Sequence, residues 1–193
     1  MNFAHAIGQL VATRFNSRSK PMEFLSDIKA MIPDWAKDIR LNLDGTIARS
    51  SLKTDDATGV ALAAAYAARS STLINAFKTG LSDADVGGVL TAAALMGMNN
   101  TYYPFVEMSG DGQLKTLPAQ LRMNAYATHG GIDQARFELF ALAASIVGKC
   151  NFCVNSHYAN LKKAGYTAEQ LRDVGRIASV VNAAAQVLTA EGK

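Results

Sequence analysis

The chain of 193 residues contains only two cysteines, four prolines and three histidines. So few prolines leave long alanine-rich stretches free to be helical, because proline is the residue that most often ends a helix. No stretch alternates apolar and polar residues at period two, which argues against β-strands. No uncharged apolar run reaches the ~18 residues of a transmembrane helix, since the run at 86–98 is too short and contains glycines. The composition therefore predicts a soluble all-α protein without a membrane partner.

The charge pattern gives no indication of a nucleic-acid partner. The chain has 19 basic and 16 acidic residues, and its excess charge comes from Arg14, Arg18 and Lys20. Residues 22–193 lack the basic stripe with interleaved aromatic side chains that nucleic-acid binding needs. Residues 1–21 contain no acid and lack the features of a secretory signal, so we interpret them as a flexible N-terminal extension before the domain.

Capping signals and apolar periodicity predict a series of helices. The predicted helices cover residues 23–31, 33–38, 55–77, 82–96, 133–147 and 150–164, and residues 41–51 are predicted to form a loop. A capping box at Thr167 and Gln170 begins a further helix and repeats the cap at Ser82 85 residues later. The sequence therefore predicts one domain at residues 22–193, made of two related halves at about 22–115 and 116–193.

Both cysteines lie in one short segment of the second half, as Cys150 and Cys153, and His157 follows them. Two thiols separated by two residues can close into a small disulfide. If the segment is helical, the three side chains lie within about 60° of one another around the helix. The spacing predicts a local redox site.

Gly148 predicts the end of the preceding helix, which places the cysteines at the start of a new one. Thiols at a helix start face unpaired backbone N–H groups, and Lys149 adds a positive charge nearby. Both influences favour the thiolate. We therefore predict a thiol pKa below the ordinary value of about 8.5.

Glu138 lies in an otherwise apolar helical stretch, twelve positions before the first cysteine. Burial raises the pKa of a carboxyl group, so we predict a raised pKa for Glu138 and a role as general acid/base for a thiol proton. His157 would share this proton transfer. The alternative is that Glu138 is a structural acid that pairs with Arg136 or Arg172.

A zinc site is a second possible use of the same residues. Its four potential ligands are Cys150, Cys153, His157 and Glu138, which is the number that structural zinc needs. The remaining histidines, His5 and His129, have no cysteine near them in the sequence, and we interpret them as structural or exposed. A redox site and a zinc-binding structural module both remain open at this point.

The site residues have the spacing that is the signature of the alkyl hydroperoxidase D family, within the carboxymuconolactone decarboxylase-like superfamily: Glu138, Cys150, Cys153 and His157. The resemblance extends to residues 33–43, 96–100 and 121–124, and covers residues 22 to about 190. It implies an all-helical duplicated fold assembled as a homotrimer. It also implies an antioxidant thiol peroxidase that acts as a disulfide reductase.

The resemblance assigns a role to each site residue. Cys153 would attack an alkyl hydroperoxide and become a sulfenic acid. Cys150 would donate a proton and then resolve the sulfenic acid, which forms the Cys150–Cys153 disulfide. Glu138 and His157 would relay protons. A lactone decarboxylase on the same fold would not need the cysteine pair, so the pair argues against that activity.

The resemblance also implies an electron pathway without a tightly bound cofactor. Electrons would pass from NADH through lipoamide dehydrogenase and the dihydrolipoyl group of an acyltransferase to this disulfide. They would continue to a peroxiredoxin, the alkyl hydroperoxide reductase C protein, in the cytoplasm. Some family members have a histidine directly before the second cysteine, where this chain has Phe152. An aromatic residue there predicts a more apolar site, and makes a disulfide carrier without peroxidase activity the main alternative function.

Overall fold

The computed structural model describes residues 22–193, and the predicted extension at residues 1–21 lies outside that range. Within residues 22–193 the chain forms ten α-helices: α1 (Glu23–Met31), α2 (Lys37–Leu43), α3 (Thr54–Ala67), α4 (Ser71–Lys78), α5 (Asp83–Met108), α6 (Gly112–Thr116), α7 (Asn124–Thr128), α8 (Gln134–Gly148), α9 (Asn151–Lys163) and α10 (Ala168–Ala190). Two 3₁₀ turns, Asp34–Ala36 and His129–Gly131, and one π-helical turn, Asp44–Ala48, complete this part of the chain. No strand occurs in it, and the predicted all-α class is confirmed.

Helices α3 and α8 cross at the centre of the domain, and α5 and α10 pack against both. Residues 56–65 of α3 and 137–145 of α8 are all buried, because most of their side chains are apolar and the helices pack on every side. Their many alanines allow the backbones to approach closely. At Gly59 an added Cβ would collide with the ring of Phe140, so this crossing requires glycine on α3.

The loop predicted at residues 41–51 is wrong. Helix α2 continues beyond Leu43 into the π-helical turn that ends at Ala48. Leu43 and Ile47 are four positions apart and both fully buried, so helical geometry directs both side chains into the core. The helix predicted at 33–38 begins as a 3₁₀ turn and extends beyond its predicted end.

Two other predicted boundaries also differ from the structure. The single helix predicted at 55–77 is broken into α3 and α4, because Arg69 has a left-handed backbone with φ 60° and the Ser70 hydroxyl caps α4 by accepting from the Leu73 N–H. The helix predicted to end near Met96 continues to the end of α5. Pro104 lies inside α5 without ending it, since a proline removes one backbone hydrogen bond and its neighbours remain helical here.

The junction between α8 and α9 repeats the local geometry of the junction between α3 and α4. Arg69 and Lys149 both have left-handed backbones, with φ 60° and 56°. Ser70 and Cys150 follow them as N-caps, and each side chain accepts from the N–H three residues later. Ser82 and Thr167 likewise cap α5 and α10 by accepting from the N–H three residues later. The division of the domain into two related halves stays a prediction. Within residues 22–193, no helix is long and apolar enough to cross a membrane.

Candidate redox site

The cysteines are positioned by a tight junction between two helices. Helix α8 ends at Gly148, and Lys149 then reverses the chain direction with its left-handed backbone. An added Cβ on Gly148 would collide with Asn100 of α5, whose amide donates to the Ala144 carbonyl at 3.1 Å. Cys150 has an extended backbone and serves as the N-cap of α9. The predicted helix break and the start of a new helix at the first cysteine are confirmed.

Cys150 and Cys153 are joined in a disulfide, with their Cα atoms 5.3 Å apart. The Cys150 sulfur accepts a hydrogen bond from the Cys153 N–H at 3.2 Å, so it takes the capping place that an oxygen usually fills. Both residues are buried, with Cys153 3% exposed. Neither sulfur titrates in the disulfide, so the lowered thiol pKa stays a prediction for the reduced protein.

His157 lies one helical turn after Cys153 on α9, and its ring is buried against Glu138 of α8. Nδ1 of His157 is 2.6 Å from Oε2 of Glu138, a distance typical of a charge-assisted hydrogen bond. The structure therefore brings the acid and the imidazole into direct contact behind the disulfide. Arg136, the alternative partner considered for Glu138, instead pairs with Asp56 and Asp85.

Two further side chains donate to the other oxygen of Glu138. The Tyr126 hydroxyl donates to Oε1, and Asn160 Nδ2 donates to the same oxygen at 3.1 Å. Glu138 is thus a buried carboxylate with three polar partners. Asn160 follows His157 by three residues and could have been found from helical spacing, whereas Tyr126 comes from α7 and no spacing rule connects it to the site.

The predicted rise in the pKa of Glu138 is wrong. Burial does favour the protonated carboxyl, but the hydrogen bonds from His157, Tyr126 and Asn160 outweigh burial and hold the pKa of Glu138 below its ordinary value. The apolar residues around Glu138 in the sequence indicated that it is buried, but they gave no sign of the hydrogen-bond donors that contact it. Glu138 is therefore an anion at neutral pH, which suits it to orient the imidazole and to stabilise a positive charge on the ring.

The second ring nitrogen of His157 faces a thioether. Nε2 lies 3.1 Å from the sulfur of Met96, which is fully buried on α5. Sulfur is a weak acceptor and has no proton to donate. Since Nδ1 is engaged by Glu138, Nε2 is the nitrogen that remains for proton exchange. Met96 lies 61 positions before the histidine, so no residue spacing in the sequence links the two.

Phe152 lies at the surface beside the cysteines, and the predicted effect of an aromatic residue there is to make the site more apolar. Its ring is 54% exposed and stacks on Tyr103 of α5 with the ring centroids 4.4 Å apart. The stacked pair forms part of a surface groove of about 580 Å³ between α5, α6 and the start of α9. The aromatic ring therefore makes the surface beside the cysteines apolar and leaves the environment of Glu138 and His157 unchanged.

His129 is half-buried in an aromatic cluster, with its ring centroid 5.8 Å from that of Phe137 and 6.3 Å from that of Tyr126. The interpretation of His129 as structural or exposed stays a prediction, and His5 lies outside the described residues. The four potential zinc ligands do not form an open metal site, because the two sulfurs are bonded to each other. In residues 22–193 no three His, Cys, Asp or Glu side chains are grouped so that they could hold a metal ion.

The fold and the site define an all-helical protein with a disulfide at a helix start and a buried Glu–His pair behind it. Residues 113–192 match the Carboxymuconolactone decarboxylase family. The chain is similar to "Alkyl hydroperoxide reductase AhpD" of Rhodospirillum centenum, with 42% identity over 168 residues, which is 85% of this chain and 90% of the relative. The protein of the same name from Coxiella burnetii is 40% identical over 176 residues, 88% of this chain and 99% of the relative.

A third AhpD, from Maricaulis maris, is 42% identical over 168 residues, 85% of this chain and 96% of the relative. These relatives are matched over nearly their whole length. The chain therefore belongs to the alkyl hydroperoxide reductase AhpD family.

Proposed function

We propose that the chain is a thiol peroxidase and disulfide reductase that reduces alkyl hydroperoxides, regenerates a partner peroxiredoxin, or does both. The observation that carries the proposal is the disulfide at the start of α9 with the contact between Glu138 and His157 behind it. The relatives are named alkyl hydroperoxide reductase, which supports the same activity.

In the proposed oxidative half-reaction, the Cys153 thiolate attacks one peroxide oxygen. The O–O bond breaks, Cys153 becomes a sulfenic acid, and the alkoxide leaves as an alcohol with the proton of the Cys150 thiol. The Cys150 thiolate then attacks the Cys153 sulfur, which forms the disulfide and releases water after protonation. Two thiols and one hydroperoxide thus give one disulfide, one alcohol and one water.

Glu138 and His157 would supply and remove the protons of these steps. The anionic carboxylate holds Nδ1 of His157, so the proton that leaves or reaches sulfur travels through Nε2. The N–H groups at the start of α9 stabilise the Cys150 thiolate, since the Cys153 N–H already points at that sulfur. This arrangement resembles catalytic sites in which a carboxylate orients an imidazole.

In the reductive half-reaction, a dithiol would reduce the disulfide and itself become a cyclic disulfide, with two electrons and two protons transferred. We propose dihydrolipoyl groups on an acyltransferase as this donor, themselves reduced by NADH through lipoamide dehydrogenase. An alkyl hydroperoxide reductase C peroxiredoxin would be the electron acceptor. A homotrimeric, cytoplasmic protein is part of the same proposal.

A disulfide carrier without peroxidase activity is the second candidate. Phe152 favours it, because the position between the cysteines offers a stacked ring and no imidazole for proton transfer. Adding hydroperoxide to the reduced protein, alone and with the peroxiredoxin, separates the candidates. Direct oxidation without the partner supports the peroxidase, and oxidation only by the oxidised partner supports the carrier.

The experiment that tests the proposal counts thiols, mass and metal on one sample. One equivalent of hydroperoxide or of oxidised peroxiredoxin should consume both thiols, with a loss of two hydrogens per chain. Dihydrolipoamide should restore them, and a Cys150→Ser, Cys153→Ser double variant is the matched control. Retention of both thiols after oxidant, together with stoichiometric zinc, would establish the structural metal module instead.

A further inference from the structure

Tyr126 reaches the buried acid from outside the helix pair that carries the predicted site. It lies on the short helix α7, and its hydroxyl donates to Oε1 of Glu138. Its ring packs edge-on against Phe137, with the centroids 5.8 Å apart, and against His129. Rings on two sides restrict the rotation of the tyrosine, so the hydroxyl is held on the carboxylate.

We propose that Tyr126 is a positioning residue that holds Oε1 of Glu138 and so presents the other carboxylate oxygen to His157. The two oxygens have different partners, because Oε1 accepts from Tyr126 and Asn160 while Oε2 contacts the imidazole. This division fixes the plane of the carboxylate. The inference rests on the proposed function, in which Glu138 acts on sulfur through His157.

The phenol acts as a fixed donor and does not transfer the proton itself. Burial and the neighbouring Glu138 raise the pKa of Tyr126 well above its usual range, so the hydroxyl stays protonated throughout the working pH range. A permanent donor on Oε1 opposes the effect of burial on the carboxylate. It therefore favours the charged form of Glu138 at every pH at which the protein is active.

The other charged groups near Glu138 have little influence on its charge. From α9, His157 and Asn160 contact the carboxylate directly. Asp133, before α8, and Lys163, at the end of α9, lie with Glu138 around a surface cavity of about 460 Å³. These last two have opposite charges and face solvent, so water screens their influence on the buried acid.

The test is the titration of Glu138 in the full-length disulfide form, followed by carboxyl ¹³C NMR and assigned with Glu138→Gln. In Tyr126→Phe the titration midpoint should rise by about one pH unit, because a hydrogen bond to a charged group is lost. Tyr166→Phe is the matched control, since Tyr166 is also half-buried against the core. An unchanged midpoint in Tyr126→Phe, or an equal rise in Tyr166→Phe, overturns the proposal.

A kinetic measurement accompanies the titration. With dihydrolipoamide as reductant, Tyr126→Phe should lower kcat about tenfold at neutral pH, because Glu138 stays charged there but its carboxylate is no longer held in the plane that presents Oε2 to His157. KM should change little. A shifted midpoint with no activity in the parent protein would refute the proposed function and support the role of Tyr126. A normal midpoint with normal parent activity would refute only the role of Tyr126.

Discussion

Nε2 of His157 lies 3.1 Å from the thioether sulfur of Met96, while Nδ1 of the same ring contacts Glu138. Both ring nitrogens therefore face acceptors, one strong and one weak. A weak acceptor can be exchanged for a cysteine sulfur at little cost, so the thioether holds the imidazole in place without competing strongly for its proton.

Met96→Leu should slow disulfide formation several-fold and lower stability by less than about 1.5 kcal/mol, because leucine keeps the volume and removes the acceptor. Single-turnover oxidation and urea unfolding measure the two effects. Met98→Leu on the same helix is the control and should leave the rate unchanged. Equal rates for Met96→Leu and the parent protein would show that the thioether only fills space.

The two cysteines should respond differently to replacement. In Cys150→Ser a sulfenic acid or mixed disulfide should accumulate at Cys153, because the resolving thiol is gone, whereas Cys153→Ser should form no sulfenic acid. A sulfenate-reactive probe with mass spectrometry of the labelled peptide measures both. Equal labelling of the two variants would mean that the roles are wrongly assigned.

Glu138→Gln should lower turnover roughly 10²-fold while the fold is kept, because an amide of the same shape cannot accept the proton or orient a cationic imidazole. The pKa of Glu138 is lowered, so the parent protein should keep its carboxylate ionised across about pH 6 to 9. Its pH–rate profile should therefore show no titration of this acid in that range. Steady-state rates over that range test the prediction. A variant that matches the parent throughout would identify Glu138 as a structural acid.

Phe152→His should raise direct hydroperoxide turnover about tenfold relative to Phe152→Ala, because the imidazole adds a proton donor beside the sulfurs. Both variants lose the stacking on Tyr103, which makes alanine the matched control. The ring is largely exposed, so the loss should cost about 1 kcal/mol of stability. Equal peroxidase rates in the two variants would show that the missing histidine does not limit this chain.

Asp173 should make the stability of the fold depend on acid pH. Burial opposes its charge, but hydrogen bonds from Ser51, Arg176 and Arg172 hold the pKa of Asp173 at about 2. A lowered pKa stabilises the fold above the unfolded value of about 4, and this contribution disappears as the pH falls towards 2. We expect the charge of Asp173 to contribute about 1 to 2 kcal/mol to the free energy of unfolding, since water screens the exposed arginines.

Urea unfolding of the parent protein and Asp173→Asn checks this pH dependence. The difference in the free energy of unfolding between the two proteins should have its full value at pH 7 and should decrease towards about pH 2. The exposed Asp27→Asn is the control and should change little at either pH. A difference that stays constant with pH would mean that Asp173 acts by shape and not by charge.

Local sequence was sufficient for several features of the chain. Caps and apolar periodicity predicted α1, α8 and α9 closely, because a helix start depends on residues within one turn. The helix break at Gly148 was predictable for the same reason. Two boundaries were predicted wrongly: the Ser70 cap interrupts the helix predicted at 55–77, and α5 continues through Pro104 instead of ending near Met96.

The candidate site divides in the same way. Residue spacing alone placed Cys153 and His157 on one helix with Cys150 at its start, and an acid in an apolar stretch indicated that Glu138 is buried. The direction of its pKa shift required the tertiary structure, because Tyr126 arrives from α7 and counteracts burial. Met96 likewise reaches the imidazole only through the packing of α5 against α9. Residue spacing determines short-range geometry, whereas the charge state of a buried group depends on every donor that the folded chain brings to it.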